Sequence, residues 1–215
     1  MHTSHNKRLK GQTAIVTGSD SGIGKAIAIM MGEEGVNVVV NYIGNGDEAQ
    51  KVIDRIKDAG GEAIKIETDV SNENQVKEMF RKTIGKYGRV DILVNNAGIQ
   101  NKASIDKMTL EEWQKVIDIN LSGNFLCSRE AIIEFKKQKI DDNISVAAGK
   151  IICISSVHER IPWKGHANYA ASKGGIMLLM KSMAMEVASD KIRVNSIGPG
   201  AIKTPINKES WGDLE

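Results

Sequence analysis

Residues 13–24 read TAIVTGSDSGIG, and the rest of the chain can be laid out from them. TAIVT (13–17) is a short run of apolar and β-branched residues, as expected of a strand buried on both faces. Gly18, Gly22 and Gly24 follow, and an apolar helical pattern runs from Ile23 to Glu34. A strand, a glycine-rich turn and a helix N-terminus form a cradle for phosphate: glycines let backbone N–H groups approach an anion, and the helix dipole favours its charge. The spacing is G-x-x-x-G-x-G rather than G-x-G-x-x-G, so a turn that simply joins two elements is the competing reading.

The same alternation recurs downstream. VNVVVNY (36–42) is a second buried-type strand, and a polar-faced helix of about residues 47–59 ends at Gly60-Gly61. IKIETDV (64–70) is a third strand, and SNENQVKEMFRKTIGKYG a third helix with Ser71 as its expected N-cap. VDILVNNAG (90–98) is a strand entering a small polar turn. Thr109 to about Lys139 reads as one long helical region opened by the capping pattern TLEE, with Asn120 inside an apolar stretch. KIICISS (150–156), a helical pattern from Ile176 and KIRVNSI (191–197) complete an alternating β/α order, which predicts an α/β parallel sheet covered by helices on both faces.

Composition limits the function. The 215 residues suit one α/β domain, and 29 basic against 27 acidic residues leave no field for nucleic acid or an anionic membrane. MHTSHNKRLKG lacks the apolar segment of a signal peptide, and no apolar run approaches a membrane span, so a soluble cytoplasmic protein is expected. Cys127 and Cys153 are read as buried free thiols. His158 and His166 do not share a helical face, so no metal site is expected.

Chemistry concentrates in KIICISSVHERIPWKGHANYAASKGG (150–175). Ser156 precedes Tyr169 by thirteen residues, and Tyr169 precedes Lys173 by four. On a helix the last two share a face with Cβ atoms about 5–6 Å apart. A lysine ammonium there favours phenolate, and a serine hydroxyl from the strand end steadies the oxygen that exchanges the proton. Elsewhere, Asn95 to Gly98 form a small turn at a strand's carboxyl end, where such sheets bind ligands. Asp69 is read either as an acceptor for an adenine amino group or as a turn-capping aspartate. Asn120 is either solvated or a residue that kinks its helix and anchors a water leading to Lys173. Pro199 and Gly200 turn the chain after the last strand, which places Thr204 near a cofactor's phosphates or amide. The position about twenty residues beyond the glycines offers Asn41 and Tyr42, with neither a carboxylate nor an arginine, which leans slightly toward NAD over NADP.

TGSDSGIG (17–24), Asp69-Val70, NNAG (95–98), Asn120, Ser156, Tyr169-Ala-Ala-Ser-Lys173 and the turn at 199–200 together resemble the short-chain dehydrogenase/reductase family, in order and interval. The resemblance implies a Rossmann-type doubly wound sheet in three layers and an NAD or NADP cofactor. It also implies a catalytic set of Asn120, Ser156, Tyr169 and Lys173, with Ser156 and Tyr169 on the substrate. Implied cofactor contacts are Gly18, Ser21, Gly22, Ile23, Gly24, Asn41, Tyr42, Asp69, Val70, Asn96, Ala97, Gly98, Tyr169, Lys173, Pro199, Gly200, Ile202 and Thr204. SSVHERIPW, HANYAASKGG and IRVNSIGPGAIKTPIN look most like the bacterial glucose 1-dehydrogenases. Hydride transfer from a sugar or secondary alcohol is therefore expected, with 3-oxoacyl or other carbonyl reduction and non-catalytic dinucleotide binding as alternatives. Family members with this pattern run some tens of residues further, so a seventh strand is expected to be missing here. The resemblance also suggests a homotetramer built on two long helices.

Overall fold

The computed structural model describes residues 7–207. Its strands are β1 (Thr13–Val16), β2 (Asn37–Tyr42), β3 (Glu62–Glu67), β4 (Ile92–Asn95), β5 (Gly149–Ile154) and β6 (Ile192–Ile197). Its helices are α1 (Gly22–Glu33), α2 (Asp47–Asp58), α3 (Glu73–Tyr87), α4 (Leu110–Ile117), α5 (Gly123–Lys137) and α6 (Ala167–Glu186). The strands form one parallel sheet in the order β3-β2-β1-β4-β5-β6. The chain moves outward from β1 to β3 and then returns to the other side of β1 with β4. The crevice between β1 and β4 is thus the switch point at which open α/β sheets take their ligands.

Side-chain alternation along the strands builds two cores. Ile15, Val39, Leu93 and Ile151 pack on one face with Val76 and Phe80 of α3, Cys127 and Phe135 of α5, and Ile176 of α6. Ala14, Val16, Val38 and Val94 pack on the other with Ala28 of α1 and Val52 and Ile56 of α2. Burial on both faces is why these strands are continuous runs of apolar residues rather than alternating ones. Both cysteines are buried and free. Among the described residues β3 and β6 are the two sheet edges, and Arg193 and Asn195 of β6 are exposed.

Three local expectations are corrected. β3 starts and stops earlier than expected, because as an edge strand it buries only Ala63 and Ile66 and leaves the ladder before Asp69. The N-cap of α3 is Asn72, whose side chain accepts from the Gln75 N–H at 3.1 Å; Ser71 is instead held by its hydroxyl on Asp69, 2.6 Å away. The long helix opens with the expected Thr109–Glu112 capping box, but it is divided by a π turn over Asp118–Ser122 that carries Asn120. A π turn inserts one residue into the ladder and redirects the side chains beyond it.

Candidate active site

The glycine turn is held in shape by side chains reaching it from neighbouring strands. Gly18, at φ +57°, donates its N–H to Asn41 Oδ1 at 2.9 Å, and its carbonyl accepts from Asn96 Nδ2 at 2.8 Å. The Thr17 hydroxyl accepts from the backbone N–H groups of Asn96 and Ala97 at 2.9 and 3.0 Å. A Cβ at Gly24 would collide with the Gly18 carbonyl and the Asn96 amide, so glycine is what lets α1 close onto the turn. Gly22 has φ +54°, and Thr204 lies just beyond it, where a Cβ would come within 3.6 Å of the threonine side chain. Residues 199–206 therefore extend the wall over the turn.

A cavity of about 600 Å³ runs from this turn past the ends of β4 and β5. Gly18, Ser21, Gly22, Ile23, Asn41, Tyr42, Asp69, Val70, Asn96, Ala97, Gly98, Ser156, Tyr169, Lys173, Pro199, Gly200, Ile202 and Thr204 all line it. Gly24 and Asn120 lie behind the lining. The space, the positive-φ glycines and the helix N-terminus suit an extended dinucleotide with its pyrophosphate on α1.

Two of the residues read as cofactor contacts are also structural. The Asn41 amide is spent inside the protein, accepting from Gly18 N–H and donating to the Thr68 carbonyl at 3.0 Å, so it braces the glycine turn against β3. Asp69 Oδ1 accepts from the Ser71 N–H and hydroxyl at 2.9 and 2.6 Å, which is the turn-capping role, while the residue still borders the cavity.

At the other end, Ser156, Tyr169 and Lys173 converge and are buried. The Ser156 and Gln100 side chains line the cavity beside the Tyr169 phenol and act on its pKa by hydrogen bonding. Lys173 Nζ lies 5.4 Å from the centroid of the Tyr169 ring and donates to the Ile154 carbonyl at 2.9 Å. Burial lowers the Lys173 pKa to about 8. Burial also raises that of Tyr169, and the hydrogen bonds from Ser156 and Gln100 oppose the rise. The expectation that the lysine charge would dominate the phenol is corrected here. Desolvation is the larger influence on both groups and favours their neutral forms.

Asn120 holds the adjoining loop. Its Oδ1 accepts from the Ile99 N–H at 2.8 Å, and its Nδ2 donates to the Ile99 carbonyl at 3.0 Å and to the Ser172 hydroxyl at 3.1 Å. The π turn thus delivers one amide that ties the β4–α4 loop to α6.

Sequence reasoning missed four side chains around this centre. Gln100 lies two residues beyond Gly98 of the NNAG turn, and that proximity was its only signal. His158 and His166 were read for helical spacing and Trp163 was given no role, but the three lie in the β5–α6 connection and stack on one another: the Trp163 ring centroid is 4.4 Å from His158 and 3.7 Å from His166, each at 12°. Among the described residues no cluster of three His, Cys, Asp or Glu side chains is arranged for a metal, and no helix is long and apolar enough to cross a membrane.

A doubly wound sheet with this cavity at its switch point has the layout of a dinucleotide-binding protein. Residues 12–215 match the family described as short chain dehydrogenase, and the chain belongs to that family. It is 46% identical over 207 residues to 3beta-hydroxysteroid dehydrogenase 1 of Eggerthella lenta, covering 96% of this chain and 77% of that protein. It is 41% identical over 205 residues to glucose 1-dehydrogenase 2 of Bacillus subtilis, covering 95% and 77%. It is 40% identical over 200 residues to a 3-oxoacyl-[acyl-carrier-protein] reductase of Synechocystis, covering 93% and 78%. A short-chain type dehydrogenase/reductase from Mycobacterium marinum superposes with a TM-score of 0.88 at 35% identity, over 97% of this chain and 80% of that one. The protein is an oxidoreductase of CH–OH groups that uses NAD or NADP.

Proposed function

We propose that Tyr169 is the general base for oxidation of a secondary alcohol, and the general acid for reduction of the matching ketone. The observation that carries this is the convergence of buried Ser156, Tyr169 and Lys173, with the Lys173 ammonium 5.4 Å from the phenol ring, in the cavity that begins at the glycine turn. When bound, the nicotinamide supplies the hydride acceptor or donor. Ser156 holds the substrate oxygen, Tyr169 takes its proton, and Lys173 in its ammonium form offsets part of the desolvation that keeps the phenol neutral. Asn120 fixes the loop bearing Ile99 and Gln100, and its place beside Gly98 and Ser172 suits anchoring a water toward Lys173.

NAD is proposed as the preferred cofactor. Asp20 and Asp69 border the cavity, no arginine is among its described lining residues, and Lys173 lies at the opposite end. A 2′-phosphate would find no guanidinium to match it. Relatives named for a steroid, a sugar and a 3-oxoacyl group share one reacting unit, CH–OH against C=O, and that is the chemistry proposed. The loop similarity to glucose 1-dehydrogenases keeps a glucose-like sugar as a candidate substrate.

The test is reduction of NAD and NADP, assayed separately over sugars and secondary alcohols, beside Tyr169→Phe. Turnover is expected with NAD, and the variant should lose about 10²–10⁴-fold in kcat while still binding NADH. Undiminished turnover in the variant would remove Tyr169 from its role. NADH binding without turnover on any substrate would instead favour the non-catalytic reading.

A further inference from the structure

Beyond Ser156 and Tyr169 the cavity meets the connection between β5 and α6. His158, Trp163 and His166 form a continuous stack there, with both faces of the indole covered. His166 is buried at the start of α6 and closes one end. His158 Nδ1 is directed at the Ile161 carbonyl, 2.9 Å away, which pins the other. The stack meets the Tyr169 ring edge to face, with centroids 5.9 Å from Trp163 at 82° and 6.4 Å from His158 at 71°. A wall braced at both ends and against the phenol has little freedom to adapt its shape.

Its chemistry is apolar. His158 and Trp163 share the cavity with Val157, Ile202 and Ile206, whose side chains are exposed. Two polar groups near the phenol are already engaged: Ser156 Oγ accepts from the His158 N–H at 3.2 Å, and His158 Nδ1 has its carbonyl. The carboxylates of the lining, Asp20 and Asp69, belong to the glycine-turn end and to the turn after β3. A polyol brought here would be stripped of water at several hydroxyls with few partners to replace it, which is costly for each unpaired group. A rigid hydrocarbon ring would instead lay its C–H surface on aromatic and aliphatic side chains and lose little conformational freedom on binding.

We propose that the stacked His158, Trp163 and His166 rings and the aliphatic rim of Val157, Ile202 and Ile206 select an apolar alicyclic secondary alcohol, its ring system along the wall and its hydroxyl between Ser156 and Tyr169. This rests on the role given to Ser156 and Tyr169 above and goes beyond it in naming the carbon skeleton. It ranks such an alcohol above the sugar expected from loop similarity.

The test compares decahydro-2-naphthol, 2-butanol and glucose as substrates with NAD. Ligand-detected NMR of the ketone 2-decalone on the protein–NADH complex is measured in parallel. Decahydro-2-naphthol should exceed both other alcohols in kcat/KM by at least roughly tenfold. Trp163→Ala should narrow its advantage over 2-butanol by about tenfold, and Trp163→Phe, which keeps a ring in the stack, should retain most of it. His158→Ala carries the same comparison should Trp163→Ala fail to fold. Glucose turned over as well as the bicyclic alcohol would overturn the proposal, as would a loss in Trp163→Ala that is equal for both simple alcohols. If no alcohol turns over, the catalytic role of Tyr169 fails, and the NMR arm still judges the wall. Decalone binding that Trp163→Ala abolishes supports it, and no binding sinks it.

Discussion

Gln100 shows how much of this site is set by residues distant in sequence. Asn120 fixes both backbone groups of Ile99, and the next side chain reaches the Tyr169 phenol. There it works with Ser156 against burial, which holds the phenol's pKa up. Alcohol oxidation needs a phenol that can take a proton, so activity should rise with pH along a limb shared by Tyr169 and Lys173, whose pKa lies near 8. Gln100→Leu removes one opposing hydrogen bond worth about 1 kcal/mol, which is somewhat under one pH unit. The limb in kcat/KM should therefore move to higher pH by roughly 0.5–1 unit, and an unmoved profile would show that Gln100 does not act on the phenol. The convergence of Ser156, Tyr169 and Lys173 was legible because their spacing within one strand–helix unit brings them to one place. Gln100 was not, because nothing in NNAGIQ tells which side chain the π turn will orient.

The helical region that opens at Thr109 carries the same lesson for elements. Its capping box and apolar period were plain in the sequence, yet the break at Asp118–Ser122 was not, since a π turn costs little locally and is stabilised by what it reaches. Asn120 in an apolar neighbourhood was the one sign. The buried amide satisfies an N–H, a carbonyl and a hydroxyl on two other elements. Asn120→Ala strands the Ile99 groups and should cost about 2–3 kcal/mol in urea unfolding, with an unchanged m value. A cost below about 0.5 kcal/mol would mean that the joint is held by the backbone alone. The cap of α3 makes a smaller version of the point: Ser71 and Asn72 are both capping residues, and Asp69 settles the choice by taking the serine.

At the scale of the whole molecule, strand order and the place of the glycine turn follow from the β/α alternation. The polar groups buried within the sheet do not, and they make stability above pH 8 a contest of opposite signs. Burial raises Cys127 to about 12 and Cys153 to about 11 from 9.0. Both thiols stay protonated in the fold while the unfolded chain ionises, so their contribution is whole below pH 9 and is lost as pH rises toward the folded values. By pH 10.5 that loss is roughly 2 kcal/mol for each. Lys173 runs the other way. Its pKa falls from 10.5 to about 8, so the fold sheds that proton first, and stability rises by about 2–3 kcal/mol between those values. The thiols win by a narrow margin. Reduced wild-type protein should lose only about 1–2 kcal/mol between pH 8 and 10.5, whereas Lys173→Met, without the compensating lysine, should lose about 4 kcal/mol. Cys127→Ala should shift the balance the other way, leaving stability level or slightly higher at pH 10.5. Urea unfolding of the three proteins at both pH values tests this, and parallel pH dependences for wild type and Lys173→Met would show that the ammonium beside Tyr169 is not desolvated.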